Sequence, residues 1–272
     1  MIVLVTVLLG LAVGSFLNVV IHRVPHRKSV VWPASYCPHC GKPVRPGDNV
    51  PLVSYVLLRG RCRNCKEPIS VRYPAVEATA GLLFGAAAYE FGASQALLPA
   101  LVFISALISL AVIDLEHKLL PNAVVGPTAL AGLVLSILAD PASWWTYPLS
   151  ALAVAGALFG LALICPDGMG MGDVKMGGML GAFLGPYAAL AVFLGALLGA
   201  VAGGLLMAAG KVRRRSALPF GLFMALGGVI SLFVGPQLWD LYTNLVWGQG
   251  LQSCGPLSKM TIWPIREWPH SI

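Results

Sequence analysis

Two aspartates stand at the edges of long uncharged stretches of this chain. Asp114 follows the apolar run 91–113, and Asp173 lies in the segment Gly170-Met171-Gly172-Asp173. Ionisable groups at membrane depth are costly and usually face a bundle interior or a water-filled cavity, where two carboxylates can share a proton. In such a pair one ionised carboxylate takes a proton from water while its neutral partner hydrogen-bonds a scissile carbonyl. The pattern therefore suits an aspartic peptidase with Asp114 and Asp173 as its catalytic residues.

Each aspartate also has a less specific interpretation. Asp114 alone would be unremarkable as a charge at the interfacial end of a helix. Asp173 is harder to dismiss, because its neighbouring glycines permit backbone conformations that hold a carboxylate close to another segment. Paired acids at membrane depth also occur in ion-coupled transporters, which typically place them near the midplane. An ion-coupled transporter that uses these two carboxylates is therefore the alternative function.

Four cysteines form two CxxC pairs in a basic segment. Cys37 and Cys40 make the first pair, and Cys62 and Cys65 make the second after the intervening residues 41–61. Each short turn can point two sulfurs at one tetrahedral ion, so the pattern predicts a closed, structural zinc site. Two disulfides are the alternative, but they would need an oxidising compartment.

Composition assigns the chain to the membrane proteins. Of its 272 residues 57% are hydrophobic and 11% are charged, far from the averages of soluble domains. The net charge of +7 does not call for a nucleic-acid partner, since ten of the 18 Lys and Arg residues lie between Arg23 and Arg72, beside apolar spans. We therefore expect the lipid bilayer as a partner and no nucleic acid.

Charge placement predicts the topology. The first apolar run, 1–21, is followed by basic residues, which places the N-terminus outside and the loop 22–73 in the cytoplasm. Further uncharged runs cover about 78–89, 91–113, 119–139, 141–164, 176–210 and 216–239. The run 176–210 is too long for one crossing, and we expect it to fold back near Gly185-Pro186. Counted alternately, the runs bring both aspartates to the cytoplasmic side.

The predicted fold class is an all-α polytopic membrane protein. It has about eight transmembrane helices, the sixth of them short, and a small cytoplasmic zinc-binding module between helices 1 and 2. The predicted domains are the first transmembrane helix (1–21), the cytoplasmic zinc-binding loop (22–73), the membrane-embedded peptidase core (74–247) and a C-terminal tail (248–272).

Other polar residues near the membrane have open roles. Asn18, His22 and Arg23 could contact a substrate leader or a lipid phosphate, but helix capping and positive-inside anchoring are the preferred interpretation. Glu77 could pair with an arginine of the basic loop such as Arg72. Lys175, two residues after Asp173, could favour the ionised form of that carboxylate if it lies close.

Taken together and in order, these motifs resemble those of the bacterial type IV prepilin peptidases, aspartic proteases of the GxGD membrane class. The matching elements are Gly14 to Pro25 (GSFLNVVIHRVP), the paired CxxC motifs, Pro51 to Tyr55 (PLVSY), Arg59 to Cys62 (RGRC), Arg72-Tyr73-Pro74 with Glu77, the Asp114 segment, Gly172 to Lys175 (GDVK) and Pro219-Phe220-Gly221. Any one element is weak, but their combination and order are specific.

The resemblance implies an enzyme of the bacterial inner membrane that removes the basic leader of type IV prepilins or type II secretion pseudopilins. Cleavage would follow a glycine on the cytoplasmic side. Asp114 and Asp173 match the catalytic aspartates of the family. Members with the cysteine loop also methylate the new N-terminal amine with S-adenosylmethionine, so the resemblance alone implies this methyl donor and hints at a methylation role for Glu77. A presenilin-like protease with other substrates is a related alternative.

Overall fold

Helices form the regular structure of the chain. The computed structural model describes residues 1–32, 34–164, 169–210 and 219–247, and in these ranges the only extended pairing consists of two isolated β-bridges. The α-helices are α1 (Ile2–Arg23), α2 (Val53–Leu57), α3 (Arg72–Phe91), α4 (Leu97–His117), α5 (Asn122–Ala139), α6 (Thr146–Ile164), α7 (Met171–Leu184), α8 (Tyr187–Ala208) and α9 (Phe220–Trp247).

Six of these helices are long and apolar enough to cross a membrane, namely α1, α4, α5, α6, α8 and α9. Helix α7 has only 14 residues, and α3 carries charged residues in its first two turns. The prediction of an all-α polytopic protein is confirmed. With α3 and α7, the described part of the chain contains eight helices longer than α2, and the sixth of them, α7, is short as predicted.

The predicted break in the run 176–210 is present. Helix α7 ends at Leu184, and α8 begins at Tyr187. Between them Gly185 has a φ of +55°, which a residue with a side chain rarely adopts. A chain reversal at this point lets α7 and α8 return as separate helices, and it is the reason the long apolar run does not form one continuous span.

The structure differs from the sequence-based boundaries at two helices. Helix α3 begins at Arg72, ahead of the uncharged run 78–89, and it includes the buried Glu77, whose side chain accepts a hydrogen bond from the Leu52 N–H. Helix α9 continues past Asp240 to Trp247. Cys165, Cys254, the basic cluster 211–215 and the predicted tail 248–272 lie outside the described residues.

Helix α4 lies at the centre of the bundle. It is the most buried of the six long apolar helices, and its residues Phe103, Ile104, Leu107 and Leu110 are fully buried. It packs against α1, α3, α5, α7 and α9. A residue in its last turn therefore has protein neighbours on several sides, which is where Asp114 lies.

One end of the bundle gathers the functional elements, and we call it the Asp114 end. Helix α4 ends there because Lys118 takes a left-handed conformation (φ 52°, ψ 41°) and donates its N–H to the Asp114 carbonyl at 2.8 Å. Helix α9 begins there, since its first turn contacts Asp114. The starts of α3, α5 and α7 reach the same end through side-chain contacts described below.

Candidate active site and metal centre

Asp114 is held by two different helices. Its side chain is only 6% exposed, in the last turn of α4. Its Oδ2 accepts a hydrogen bond of 3.1 Å from the N–H of Leu222, in the first turn of α9. N–H groups in the first turn of a helix lack intrahelical partners, so the Leu222 N–H can donate to Asp114 without breaking a hydrogen bond of α9. The carboxylate is thereby fixed in orientation although it lies among apolar residues.

Asp173 lies in the first turn of α7 and is half-buried. Its Oδ2 accepts the Gly170 N–H at 3.3 Å, and its own N–H donates to the Gly170 carbonyl at 3.0 Å. This reciprocal arrangement is that of a capped helix start. Gly172, the residue before Asp173, packs against Leu120, which also packs against Gly221 beside Asp114. The structure thus brings the two predicted aspartates to the same end of the bundle.

The side chain of Leu120 lies between the two aspartate segments. A Cβ at Gly172 would be 3.1 Å from the Leu120 Cβ, and a Cβ at Gly221 would be 3.0 Å from the Leu120 Cδ2. The glycine before Asp173 and the glycine beside Asp114 therefore both pack directly against one leucine. A larger residue at either glycine would have to displace Leu120 or the helix start, so this close packing gives both glycines a steric role.

Lys175 does not pair with Asp173. Its Nζ donates to the Asn122 Oδ1 at 2.9 Å and ties the start of α7 to the start of α5. The expectation that Lys175 favours the ionised form of Asp173 is not supported by this arrangement. The lysine instead holds two helix starts together at the Asp114 end.

Arg72 pairs with Glu116 and not with Glu77. Its guanidinium donates from NH1 to both carboxylate oxygens of Glu116, at 2.8 and 2.6 Å. This ion pair joins the start of α3 to the residue two positions after Asp114. The suggested Arg72–Glu77 pair is therefore absent, and Glu77 accepts the Leu52 N–H at 2.8 Å.

The four cysteines converge. Their sulfurs all lie within 4.8 Å of one another, and all four are free thiols, so no disulfide joins them. The Sγ atoms of Cys37 and Cys65 are 3.8 Å apart. With Zn–S bonds of about 2.3 Å, the edge of a tetrahedral four-sulfur site is about 3.8 Å, which is the spacing of this pair.

The two CxxC turns have the same backbone pattern. In the first, the Cys37 N–H donates to the Lys42 carbonyl at 3.0 Å; in the second, the Cys62 N–H donates to the Glu67 carbonyl at 2.8 Å. Gly41 (φ 68°) and Lys66 (φ 62°) are equivalent positions with left-handed backbone. The repeated turn presents each pair of sulfurs alike, and the cluster can hold a metal ion.

A salt bridge braces the cysteine module. Arg63 donates to both carboxylate oxygens of Asp48, at 2.6 and 2.8 Å, and these hydrogen bonds hold the pKa of Asp48 below its usual value. Asp48 is therefore ionised at neutral pH and already has a cationic partner.

A cavity of about 350 Å³ lies between the cysteine module and the adjoining ends of α1 and α3. Asn18, His22, Tyr73 and Glu77 are among the residues that line it. Glu77 is 8% exposed and Asn18 is 2% exposed. The Asn18 amide donates to the Gly14 and Tyr73 carbonyls, but its buried Oδ1 has no hydrogen-bond partner among the described residues. An unpaired acceptor beside a cavity is a feature of a ligand site.

Arg23 has a structural role. It is buried, and its guanidinium donates to the carbonyls of Ser29 at 3.1 Å and Ala34 at 3.3 Å. These bonds fold the chain back against the end of α1 as it enters the cysteine module.

Sequence reasoning missed the contacts that fix the aspartates. It singled out Pro219-Phe220-Gly221 only as a motif, and it assigned no role to Leu222, Leu120 or Asn122. A glycine at the start of an apolar run is the only local signal at Gly221. No pattern in the chain indicates that the Leu222 N–H reaches Asp114.

Two protein-family models match this chain. Residues 8–91 match the family described as the bacterial peptidase A24 N-terminal domain, and residues 101–207 match the family described as type IV leader peptidases. Together with the helical fold, these matches define a multi-pass membrane protein with a peptidase domain.

Individual relatives extend over most of the chain. A prepilin leader peptidase/N-methyltransferase of Burkholderia pseudomallei (strain 1026b) is 37% identical, with 86% of each chain covered. The protein of that name in Bacillus subtilis is 34% identical, over 88% of this chain and 97% of its own. That of Myxococcus xanthus is 44% identical, over 76% of this chain and 64% of its own. The chain thus belongs to the type IV leader peptidase family. No solved structure matches it.

Proposed function

We propose that the chain is a membrane aspartic endopeptidase that removes the basic leader of type IV prepilins or type II secretion pseudopilins after a glycine, and then N-methylates the new N-terminal residue. The observation that carries the peptidase proposal is the placement of Asp114 and Asp173 at one end of the bundle, on segments that both pack against Leu120. They come from separate helices, share one end of the bundle, and each accepts a backbone N–H. Family membership supports prepilins as the substrate class.

The pair supports water-mediated hydrolysis. Two carboxylates that interact share one proton at neutral pH, because mutual repulsion opposes a second negative charge. The ionised member takes a proton from a water molecule, and the hydroxide attacks the carbonyl carbon of the scissile bond. The neutral member donates its proton to the carbonyl oxygen. Breakdown of the tetrahedral intermediate breaks the C–N bond and passes a proton to the leaving amine.

The placement of the pair suits a substrate that lies in the membrane. Asp114 is in the last turn of α4 and Asp173 is in the first turn of α7, so both lie near helix ends. A prepilin helix that packs laterally in the bilayer would bring its leader junction to this level. The cluster of Lys and Arg between residues 23 and 72 supports a cytoplasmic Asp114 end and an N-terminus outside.

The helix-end position also separates the peptidase from the transporter alternative. A cation or proton pathway typically uses acids near the bilayer midplane, whereas these acids lie at the ends of their helices. The three relatives described above are all named prepilin leader peptidase/N-methyltransferase, and that name gives no support to a transporter.

Leader removal in cells tests the peptidase proposal. The chain is co-expressed with a tagged prepilin, and the processed fraction is measured for wild type, Asp114→Ala and Asp173→Ala. Glu90→Ala, which removes an exposed acid from the opposite end of α3, is the matched control. We expect no processing by either aspartate variant and full processing by the control. Processing that survives both aspartate substitutions would overturn the assignment.

Zinc is the metal that the cysteine cluster suits best. Four thiolates and no open position are typical of structural zinc sites, which fold small modules that lack a large core. Purified protein should therefore contain about one zinc per chain, and Cys37→Ser or Cys62→Ser should lower that content well below one. A metal content that is unaffected by both substitutions would refute a four-cysteine site.

The cavity beside Asn18 and Glu77 is the proposed site for S-adenosylmethionine. Its volume of about 350 Å³ lies within the range of small-molecule sites, about 300–1,000 Å³. When bound there, the cofactor would supply an activated methyl group to the new N-terminal amine. The Glu77 carboxylate would attract the cationic amine and accept the proton it releases, and the unpaired Asn18 Oδ1 would accept an N–H. Tyr73 offers an aromatic surface in the same cavity.

Glu77→Gln tests this site selectively. Glutamine still accepts the Leu52 N–H, so the backbone stays fixed while the negative charge is lost. We expect methylation of a pre-cleaved pilin peptide to fall at least about tenfold and binding of S-adenosylmethionine to weaken, while leader cleavage stays near wild type. Glu90→Gln is the charge-matched control. Unchanged methylation and binding in both Glu77→Gln and Asn18→Leu would contradict the proposed site.

A further inference from the structure

The first turn of α9 contacts the carboxylate of Asp114. The Leu222 N–H lies 3.1 Å from the Asp114 Oδ2, and these residues are far apart in the chain. The N-terminal end of a helix also carries a partial positive charge that favours a nearby anion. Helix α9 packs against both α4 and α7, which carry the two aspartates. Its start is therefore placed to act on the geometry of the pair.

Gly221 permits this approach. A Cβ at this position would lie 3.0 Å from the Asp114 Oδ2 and 3.2 Å from its Cγ, closer than an ordinary contact. The same Cβ would lie 3.0 Å from the Leu120 Cδ2. Alanine at position 221 would therefore displace the carboxylate, the leucine or the helix start. The motif Pro219-Phe220-Gly221 gains a physical role from this constraint.

The hydrogen bonds of the two aspartates differ in origin. Asp173 accepts the N–H of Gly170, which belongs to its own helix start and moves with it. Asp114 accepts an N–H from another helix, so its orientation depends on where α9 begins. When two catalytic carboxylates lie on separate helices, contacts must hold each of them in place, because small displacements of reacting groups lower the rate by large factors.

We propose that Gly221 and the backbone N–H of Leu222 are positioning elements of the peptidase site, which hold the Asp114 carboxylate in its working orientation toward Asp173. This inference rests on the proposed catalytic role of Asp114. The contribution comes from the backbone of residue 222 and from the absence of a side chain at residue 221. Neither residue needs to contact the substrate.

A pair of substitutions at Leu222 separates backbone from side chain. Leu222→Ala keeps the N–H, whereas Leu222→Pro removes it. Proline is tolerated in the first turn of a helix, and Gly221 before it has no Cβ to clash with the ring. We expect the kcat for leader cleavage of Leu222→Pro to lie about 10- to 100-fold below that of Leu222→Ala, with KM within about twofold. Gly221→Ala should lose kcat in the same range.

Two controls accompany these variants. Gly156→Ala adds a methyl group to a helix glycine with open space around it and should cleave as wild type. Methylation of a pre-cleaved peptide shows whether each variant is folded. If Leu222→Pro has lost methylation, the cleavage rate of Gly221→Ala alone tests the proposal. Equal kcat in the two Leu222 variants with methylation intact, or wild-type cleavage by Gly221→Ala, would overturn the proposal. Cleavage by Asp114→Ala would instead overturn the proposed function on which it rests.

Discussion

Replacement of Gly14 by alanine should separate the two activities of the chain. Gly14 lies on the face of α1 that packs against α3, where an added Cβ would be 2.8 Å from the Glu77 Cα and 3.0 Å from the Ala80 Cβ. Carbon atoms pack best at about 3.5–4.0 Å, so the two helices must separate locally by about 1 Å. The closest atom is backbone, which cannot rotate away as a side chain can.

The cost of the added methyl group has two opposing terms. Overpacking a close contact costs about 1–3 kcal/mol. Alanine in a helix gains about 0.8–1.0 kcal/mol over glycine. The net loss of unfolding free energy is therefore about 0–2 kcal/mol, which the fold should tolerate. The local displacement occurs at Glu77, and Asn18 lies one helical turn beyond Gly14 on the same face.

This displacement should affect methylation far more than cleavage. A shift of about 1 Å between groups that act together can cost on the order of 100-fold, so methylation of a pre-cleaved peptide should fall about 10- to 100-fold. Asp114 and Asp173 lie on α4 and α7, so leader cleavage should stay within about threefold. Both rates and thermal unfolding are measured on purified protein, with Gly156→Ala as the control. Equal losses of the two activities, or no loss of methylation, would refute this reasoning.

Two further predictions concern contacts at the Asp114 end. The side chains of Arg72 and Glu116 are 20% and 34% exposed. A double-mutant cycle on the free energy of unfolding should therefore give a coupling of about 0.5–1 kcal/mol, which weakens in high salt. A coupling of zero at low salt would contradict the ion pair. Lys175→Met and Asn122→Ala remove the same hydrogen bond, so they should lower the rate of cleavage by similar factors. The double variant should lose no more activity than either single variant. Additive losses in the cleavage assay would show that the two residues act separately.

Local patterns account for the parts of the fold that could be predicted from sequence. A CxxC turn brings its own two sulfurs together, so the two pairs indicated a metal site before any packing was known. The break at Gly185-Pro186 follows from the conformations of those two residues and from the length of the run around them. Asp114 and Asp173 were conspicuous because a charge beside a long apolar run is rare.

The partners of individual side chains could not be predicted in the same way. The bond from Leu222 to Asp114 joins distant parts of the chain, and its donor is a backbone group that every non-proline residue carries. Arg72 forms its ion pair with Glu116 and not with Glu77, because α3 and α4 meet at the Asp114 end. The uncharged run 78–89 also excludes the first part of α3. A charged residue such as Glu77 suggests the end of a membrane helix, and only the structure shows that a hydrogen bond from the Leu52 N–H lets it lie inside the helix.

The central claim is that Asp114 and Asp173 act as one catalytic unit. The most direct test is the kcat/KM of purified Asp114→Asn, Asp173→Asn and the double variant on one prepilin, with zinc content and methylation confirming that each is folded. Residues that act as a unit are strongly non-additive, so each single variant should lose at least about 10³-fold and the double variant no more. Substantial cleavage by either single variant, or losses that multiply in the double variant, would contradict the claim.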